Sequence, residues 1–272
     1  RSRGSAISYQ VRVRTDIPEA HFRQINKGAP RTKSKFTVRN VNMFFIDQPI
    51  DVDEALPMAE GRGMDELQLE HSSGTVESIS RLIGRQVYYG NDPTNGHEDG
   101  FPGLIHLYDA ENMDVAAGGG TPNEHTSVWG LRFGIQDLHL IWNEELLRQT
   151  EWMRQQMIDG DGNAYMAQVS NMRGWVGLHM TNLNSVVRIS GIAKSGANVF
   201  VEDMAFDALE KYPSGVRPDV WMMSRRTRRQ LREDRKTNGT TERTKEGMSA
   251  SMPTQIDGIP IMVTDSILDT EA

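Results

Sequence analysis

Residues 7–13 alternate between apolar and polar. Ile7, Tyr9, Val11 and Val13 lie on one side, Ser8, Gln10 and Arg12 on the other, which is the period of a half-buried strand. Pro18 interrupts the pattern, and His21 to Asn26 then leads into Lys27-Gly28-Ala29-Pro30, a turn by its Gly and Pro. Beyond the turn Phe36 and Val38 alternate, the phase slips, and Val41, Met43 and Phe45 continue. One slipped residue predicts a bulge at about Arg39–Asn40. The segment reads as a long hairpin with little apolar surface of its own. Two strands alone are marginal in water, so this hairpin needs something to lie on.

A three–four spacing follows over residues 60–88. Met64, Leu67, Val76, Ile79, Leu82, Ile83 and Val87 carry it, and Asp65 and Glu66 suit a helix start. The predicted helix is about 40 Å long. Gly74, Gly84 and Ser72-Ser73 weaken it, and Tyr88-Tyr89-Gly90-Asn91 with Pro93 stops it. Residues 100–120 read as loop. Strands are expected over 128–133 and 138–142, paired with each other, and over 185–192, 220–223 and 259–263. Residues 144–158 have a helical composition, but Asp159-Gly160-Asp161-Gly162-Asn163 is a hairpin turn that would instead join two long strands. Residues 199–212 predict a helix stopped by Pro213 and Gly215. Ser224 caps a further, Arg-rich helix running to about Lys236, and 237–251 is polar and expected to be mobile. No repeat of 20–50 residues is present. The order of elements describes an α+β protein with an appended arm.

Charge changes this picture. The 272 residues carry a net −7, unevenly distributed. Residues 1–40 hold ten Lys/Arg against two Asp/Glu, and 217–245 hold ten against four, which leaves −21 on the rest. Basic extremities on an acidic body favour binding to other copies or to nucleic acid through complementary fields. Only 37% of residues are hydrophobic, so much of the chain is expected to be loop or arm. No apolar run approaches the ~20 residues that span a bilayer, and no signal-peptide core is present; no membrane partner is expected. The chain opens on Arg1 rather than Met, so a natural N-terminus is expected to be processed or to lie outside this sequence. Cys is absent, which excludes disulfides, thiolate metal sites and a Cys nucleophile.

No motif in the sequence marks catalytic, cofactor or metal residues. His97-Glu98-Asp99 and Glu124-His125 lack a third ligand at helical or hairpin spacing and read as solvated loops. Asp159, Asp161 and Asn163 match the start of a calcium loop, but Ala164 stands where Gly is needed and Ser170 where a bidentate Glu is needed. Serine-nucleophile, phosphate-loop and dinucleotide motifs are missing. Gly118-Gly119-Gly120 is followed by Thr-Pro rather than a helix and presents no amides to a phosphate. Arg225, Arg228, Arg229 and Arg232 would share a helix face at i, i+3, i+4 and i+7. They are able to clamp phosphates or to pair with carboxylates of a neighbouring copy. The acidic body favours the second use. The five Trp residues are expected as core or interface anchors, and 15 Met as adaptable packing.

The order of segments resembles the major capsid proteins of tailed bacteriophages, whose Hong Kong-type capsid fold is shared with encapsulins. Tyr88-Tyr89-Gly90-Asn91 followed by Phe101-Pro102-Gly103-Leu104 resembles the family's pattern at the end of its spine helix. Thr126-Ser127-Val128-Trp129, Asp161-Gly162-Asn163-Ala164-Tyr165, Trp175-Val176-Gly177-Leu178 and Val187-Arg188-Ile189-Ser190-Gly191-Ile192 resemble its central strands. Val220-Trp221-Met222-Met223-Ser224-Arg225, Ile256-Asp257-Gly258-Ile259-Pro260-Ile261 and Thr264-Asp265-Ser266-Ile267 resemble its axial-domain and closing strands.

The resemblance implies an N-terminal arm at 1–17 and an extended β-hairpin loop at 18–56. A peripheral domain with a long spine helix (about 60–88) and long strands follows at 57–194, then an axial domain at 195–255. A closing strand at 256–272 returns to the peripheral domain. It implies no enzyme and no cofactor. It implies a virion protein, assembled in the cytoplasm of the bacterial host, whose many copies form pentamers and hexamers of an icosahedral shell around packaged double-stranded DNA at the inner face. Portal, scaffolding and decoration proteins are candidate partners. Candidate intersubunit contacts are Arg12, Arg14, Arg23, Lys27, Arg31, Lys33, Lys35 and Arg39; Arg225, Arg228, Arg229 and Arg232 are candidates for intersubunit or DNA contacts. Some phage shells are cross-linked through a Lys of the region holding Lys27, Lys33 and Lys35, but no carboxylate catalyst is nominated here, and no cross-link is expected. The alternatives are an encapsulin-like compartment shell, and a nucleic-acid-binding regulator acting through the Arg225–Arg232 helix.

Overall fold

The computed structural model describes residues 8–92, 94, 96–119, 123–143, 147–237 and 252–271. Two strands open it, β1 (Ser8–Asp16) and β2 (Lys35–Asn42), followed by β3 (Phe44–Asp53). Helices α1 (Leu56–Glu60), α2 (Met64–Tyr89) and α3 (Leu104–Leu107) come next, then β4 (Asp114–Ala116), β5 (His125–Leu131) and β6 (Leu138–Trp142). The chain continues through β7 (Arg148–Gln149), β8 (Met153–Ile158), the long β9 (Ala164–Met180) and β10 (Val186–Ala193). It closes with α4 (Glu202–Glu210), β11 (Val220–Met223), α5 (Arg225–Thr237), β12 (Gln255–Ile256) and β13 (Ile259–Val263).

β1 and β2 form a separate antiparallel ribbon with Ser8 opposite Asn42 and Arg14 opposite Phe36. Both strands are needed to satisfy their backbone groups, so the ribbon spans the expected boundary between residues 17 and 18. Its register is unbroken at Arg39–Asn40, where a bulge was expected; the irregularity lies on the other strand, between Arg14 and Asp16. The phase slip in the sequence has a different origin. β2 ends at Asn42 and β3 begins at Phe44 in another sheet, with buried Met43 as the joint.

β3, β9 and β6 make the second sheet, with β7 and β8 also paired to β9. Residues 144–158 are therefore not helical where described. The turn decides this: the Asp159 Oδ1 accepts the N–H of Asp161 at 2.9 Å and of Asn163 at 2.8 Å, and seventeen-residue β9 offers β8 a full ladder. Tertiary pairing overrides helix propensity there. β6 does not pair with β5 as expected, because both edges of β5 are occupied by β10 and β11. These belong to a six-stranded sheet of order β12-β13-β11-β5-β10-β4.

α2 packs beside β3, burying Leu67, Ile79, Tyr88 and Tyr89. Its 26 residues extend about 39 Å. Gly84 is retained within it because a Cβ there would come 2.4 Å from the Ser266 hydroxyl of the returning C-terminal segment. One core gathers Phe200, Trp221, Leu231 and Ile256 under α4 and α5. A second gathers Tyr89, Leu104, Trp129, Leu178 and Ile267 where the two larger sheets meet α2. Trp129 and Trp221 are wholly buried, whereas Trp142 is exposed. α1, α3 and β4 span five residues or fewer, too short to show a hydrophobic period. The segment 237–251, expected to be mobile, lies outside the described residues apart from Thr237, the last residue of α5.

Candidate assembly surfaces

The ribbon is built from two unlike halves. At its base Val11 and Val13 point into the molecule and are buried. Arg39 and Thr37 stand opposite them in register, hence on the same face. At the tip, residues 17–33, every described residue is exposed. The expected cations are there: Arg23 donates to the Lys27 carbonyl at 3.2 Å, and Lys27, Arg31 and Lys33 are exposed. Lys35 pairs with Asp16 at 3.4 Å, and the Arg12 guanidinium lies 4.2 Å from the centre of the Phe36 ring. The same tip carries apolar residues that the charge pattern hid. Ile17, Phe22 and Ile25 are 68%, 109% and 90% exposed, three apolar side chains within one exposed segment of the kind that marks an interaction site.

α5 presents its arginines differently from expectation. Ser224 caps it through the Thr227 N–H at 3.3 Å, and Thr227, Gln230 and Leu231 are buried. The four residues expected to share an outer face each meet their own chain. Arg225 reaches Asp265 at 3.3 Å and Arg228 donates to the Pro253 carbonyl at 2.8 Å. Arg229 pairs with Glu233 at 2.9 Å, and Arg232 lies 3.9 Å from the Met252 sulfur. Two arginines outside that list go deeper: Arg226 lies 3.4 Å from Asp269, and Arg235 is clasped by Glu202 while donating to the Gln255 carbonyl at 2.8 Å. A helix that looks like a phosphate clamp in sequence is in large part a clip holding β12 and the C-terminal segment to the core.

The C-terminal segment is held again at its end. Glu271 is buried, accepts from Tyr89 at 2.6 Å and Ser127 at 2.5 Å, and pairs with Arg188 at 2.9 Å. Burial, and then the Glu271 carboxylate, push the Tyr89 phenol well above its ordinary value. Acidic side chains populate the exposed surface of β3 and α2, among them Asp51, Asp53, Asp65 and Glu77.

A family model described as "Major capsid protein GP7" matches residues 4–272, nearly the whole chain. The chain belongs to this family of major capsid proteins. Among solved structures, that of bacteriophage epsilon15 has 18% identity and a TM-score of 0.72, covering 100% of this chain and 86% of that one. The capsid of bacteriophage JBD30 has 9% identity and a TM-score of 0.52, covering 97% and 87%. No curated protein matches the chain. The fold is thus the α+β tailed-phage capsid fold, and the capsid subunit is a structural, shell-forming protein of the virion that assembles with copies of itself.

Asp159 closes the β8–β9 turn, and the His97 carbonyl accepts from Gln86 at 2.9 Å. Among the described residues, no group of three or more His, Asp or Glu is placed to hold a metal, and no helix of the capsid subunit is long and apolar enough to cross a membrane.

Proposed function

We propose that this capsid subunit encloses packaged double-stranded DNA and seats itself on neighbouring copies through the tip of the β1–β2 ribbon. One observation carries the reading: a tip that is at once basic and apolar, with Phe22 and Ile25 exposed in the same short segment as Arg23 and Lys27. Apolar anchors supply affinity, and the surrounding cations supply register against an acidic body. On this reading residues 195–255 form an axial domain meeting its equivalents around five- and six-fold axes as pentamers and hexamers. The subunit has no enzymatic role and assembles in the cytoplasm of its bacterial host. Portal, scaffolding and decoration proteins are its further partners. The inner face meets DNA, and α5 serves the subunit more than the nucleic acid, since its arginines already have partners in their own chain.

Deleting residues 1–45 tests the reading. The expected product is a soluble subunit that fails to assemble; normal shells seen by electron microscopy would overturn it. Particles purified without nucleic acid would favour an encapsulin-like compartment. A small oligomer whose DNA affinity collapses in R228A/R229A would favour a regulator.

A further inference from the structure

Under the base of the ribbon lie two histidines that the shell-forming reading does not use. His139 on β6 and His179 on β9 stand directly opposite in antiparallel register, with their rings 5.3 Å apart and perpendicular. The His139 Nδ1 sits 3.1 Å from the Gly134 carbonyl. His179 is 6% exposed, and its buried Nε2 has no hydrogen-bond partner among the described residues. The ribbon closes over this face of β9: a Cβ at neighbouring Gly177 would lie 2.7 Å from the Asn42 carbonyl oxygen.

The charged groups around the pair are nearly all cations. Arg39 of β2 faces His179 from the ribbon. Arg12 and Arg14 of β1 border the cavity that the ribbon shares with Gln136, Thr181 and Asn182. The turn before β6 contributes Asp137, but its carboxylate is already held by Arg132 at 3.3 Å and the Ser185 hydroxyl at 2.9 Å. A second proton on His179 would therefore place a buried cation with no acceptor beside an arginine, a costly arrangement. A bound metal cation would meet the same field, so a metal site is disfavoured. Hydrating the charged ring requires the ribbon base to lift.

We propose that His139 and His179 form an acid-sensitive clasp that seats the ribbon while both imidazoles are neutral and releases it when they take up protons. Burial, then His139, then Arg39 depress His179 from 6.5 to about 4, and burial lowers His139 as well. The released state binds more protons between these values. The seated state is therefore fully stable above about pH 6.5 and loses stability as pH falls toward 4. For His179 alone, the ratio of released to seated ribbon should rise roughly thirtyfold between pH 7.5 and pH 5.

The absence of cysteine gives a direct test. Spin labels at N40C on β2 and Q155C on β8, diluted with unlabelled chain, report the ribbon's distance from the second sheet. Wild type should give a narrow distribution at pH 7.5 that broadens and lengthens by pH 5. H139Q/H179Q should stay narrow across the range, and R39Q, at an exposed position that leaves folding intact, should move the transition to lower pH. An unchanged wild-type distribution down to pH 4.5 would overturn the clasp. So would an identical acid response in the double variant or in R39Q.

Discussion

At the scale of single residues, the contacts that hold the subunit closed are long-range polar ones. Arg188 and Glu271 meet across 83 positions of sequence; Glu271 is buried and Arg188 mostly so, with side chains 3% and 12% exposed. Replacing one partner of such a pair leaves the other's charge buried and uncompensated, which costs more than the pair itself contributes. E271Q should destabilise the subunit by about 3 kcal/mol in denaturant titration, while E271Q/R188M should recover part of that loss, a coupling measurable by a double-mutant cycle. Neither role was visible in the sequence. Arg188 stood in a recognisable Val-Arg-Ile-Ser-Gly-Ile strand, but nothing in spacing indicates that a Glu near the end of the chain folds back onto it. The histidine pair was missed for the same reason: positions 139 and 179 share no motif, and only the β6–β9 register brings them together.

At the scale of elements, the ribbon and β9 depend on each other. Gly177 lies where the Asn42 carbonyl crosses the long strand. G177A should lift the ribbon base and cost about 1–3 kcal/mol, visible as a lower thermal midpoint and faster exchange of the β2 amides. The tip behaves oppositely. Phe22 and Ile25 bury almost nothing in their own chain, so F22D/I25D should leave subunit stability within about 0.5 kcal/mol of wild type while abolishing megadalton particles by light scattering. Alternation in β1 and the three–four spacing in α2 were legible because one face of each packs on the body. The 148–158 segment was ambiguous because few of its side chains are buried; with no burial there is no periodicity to read, and β9 decided its conformation.

At the scale of the whole molecule, the charge asymmetry predicts how copies meet. If the basic N-terminal segment, local charge +8 over residues 1–40, meets the acidic body of a neighbouring copy as proposed, it gains attraction that salt screens over about 8–10 Å. Assembly should therefore slow as ionic strength rises, followed by light scattering at constant subunit concentration. The apolar anchors should keep it from vanishing at high salt. A salt-independent rate would place the ribbon's contact in its apolar residues alone.

The sequence by itself determined the class of the fold, the long helix, the Ser224 cap and a basic hairpin unable to stand alone. Each of these rests on local patterning or on composition, which one linear window displays. Only the tertiary structure decided that the hairpin's tip leaves its apolar residues exposed, that β6 pairs with β9, and that α5 spends its arginines on its own chain. Exposure, register and ion pairing join positions far apart in sequence, and their energies exist only once the chain has closed around them.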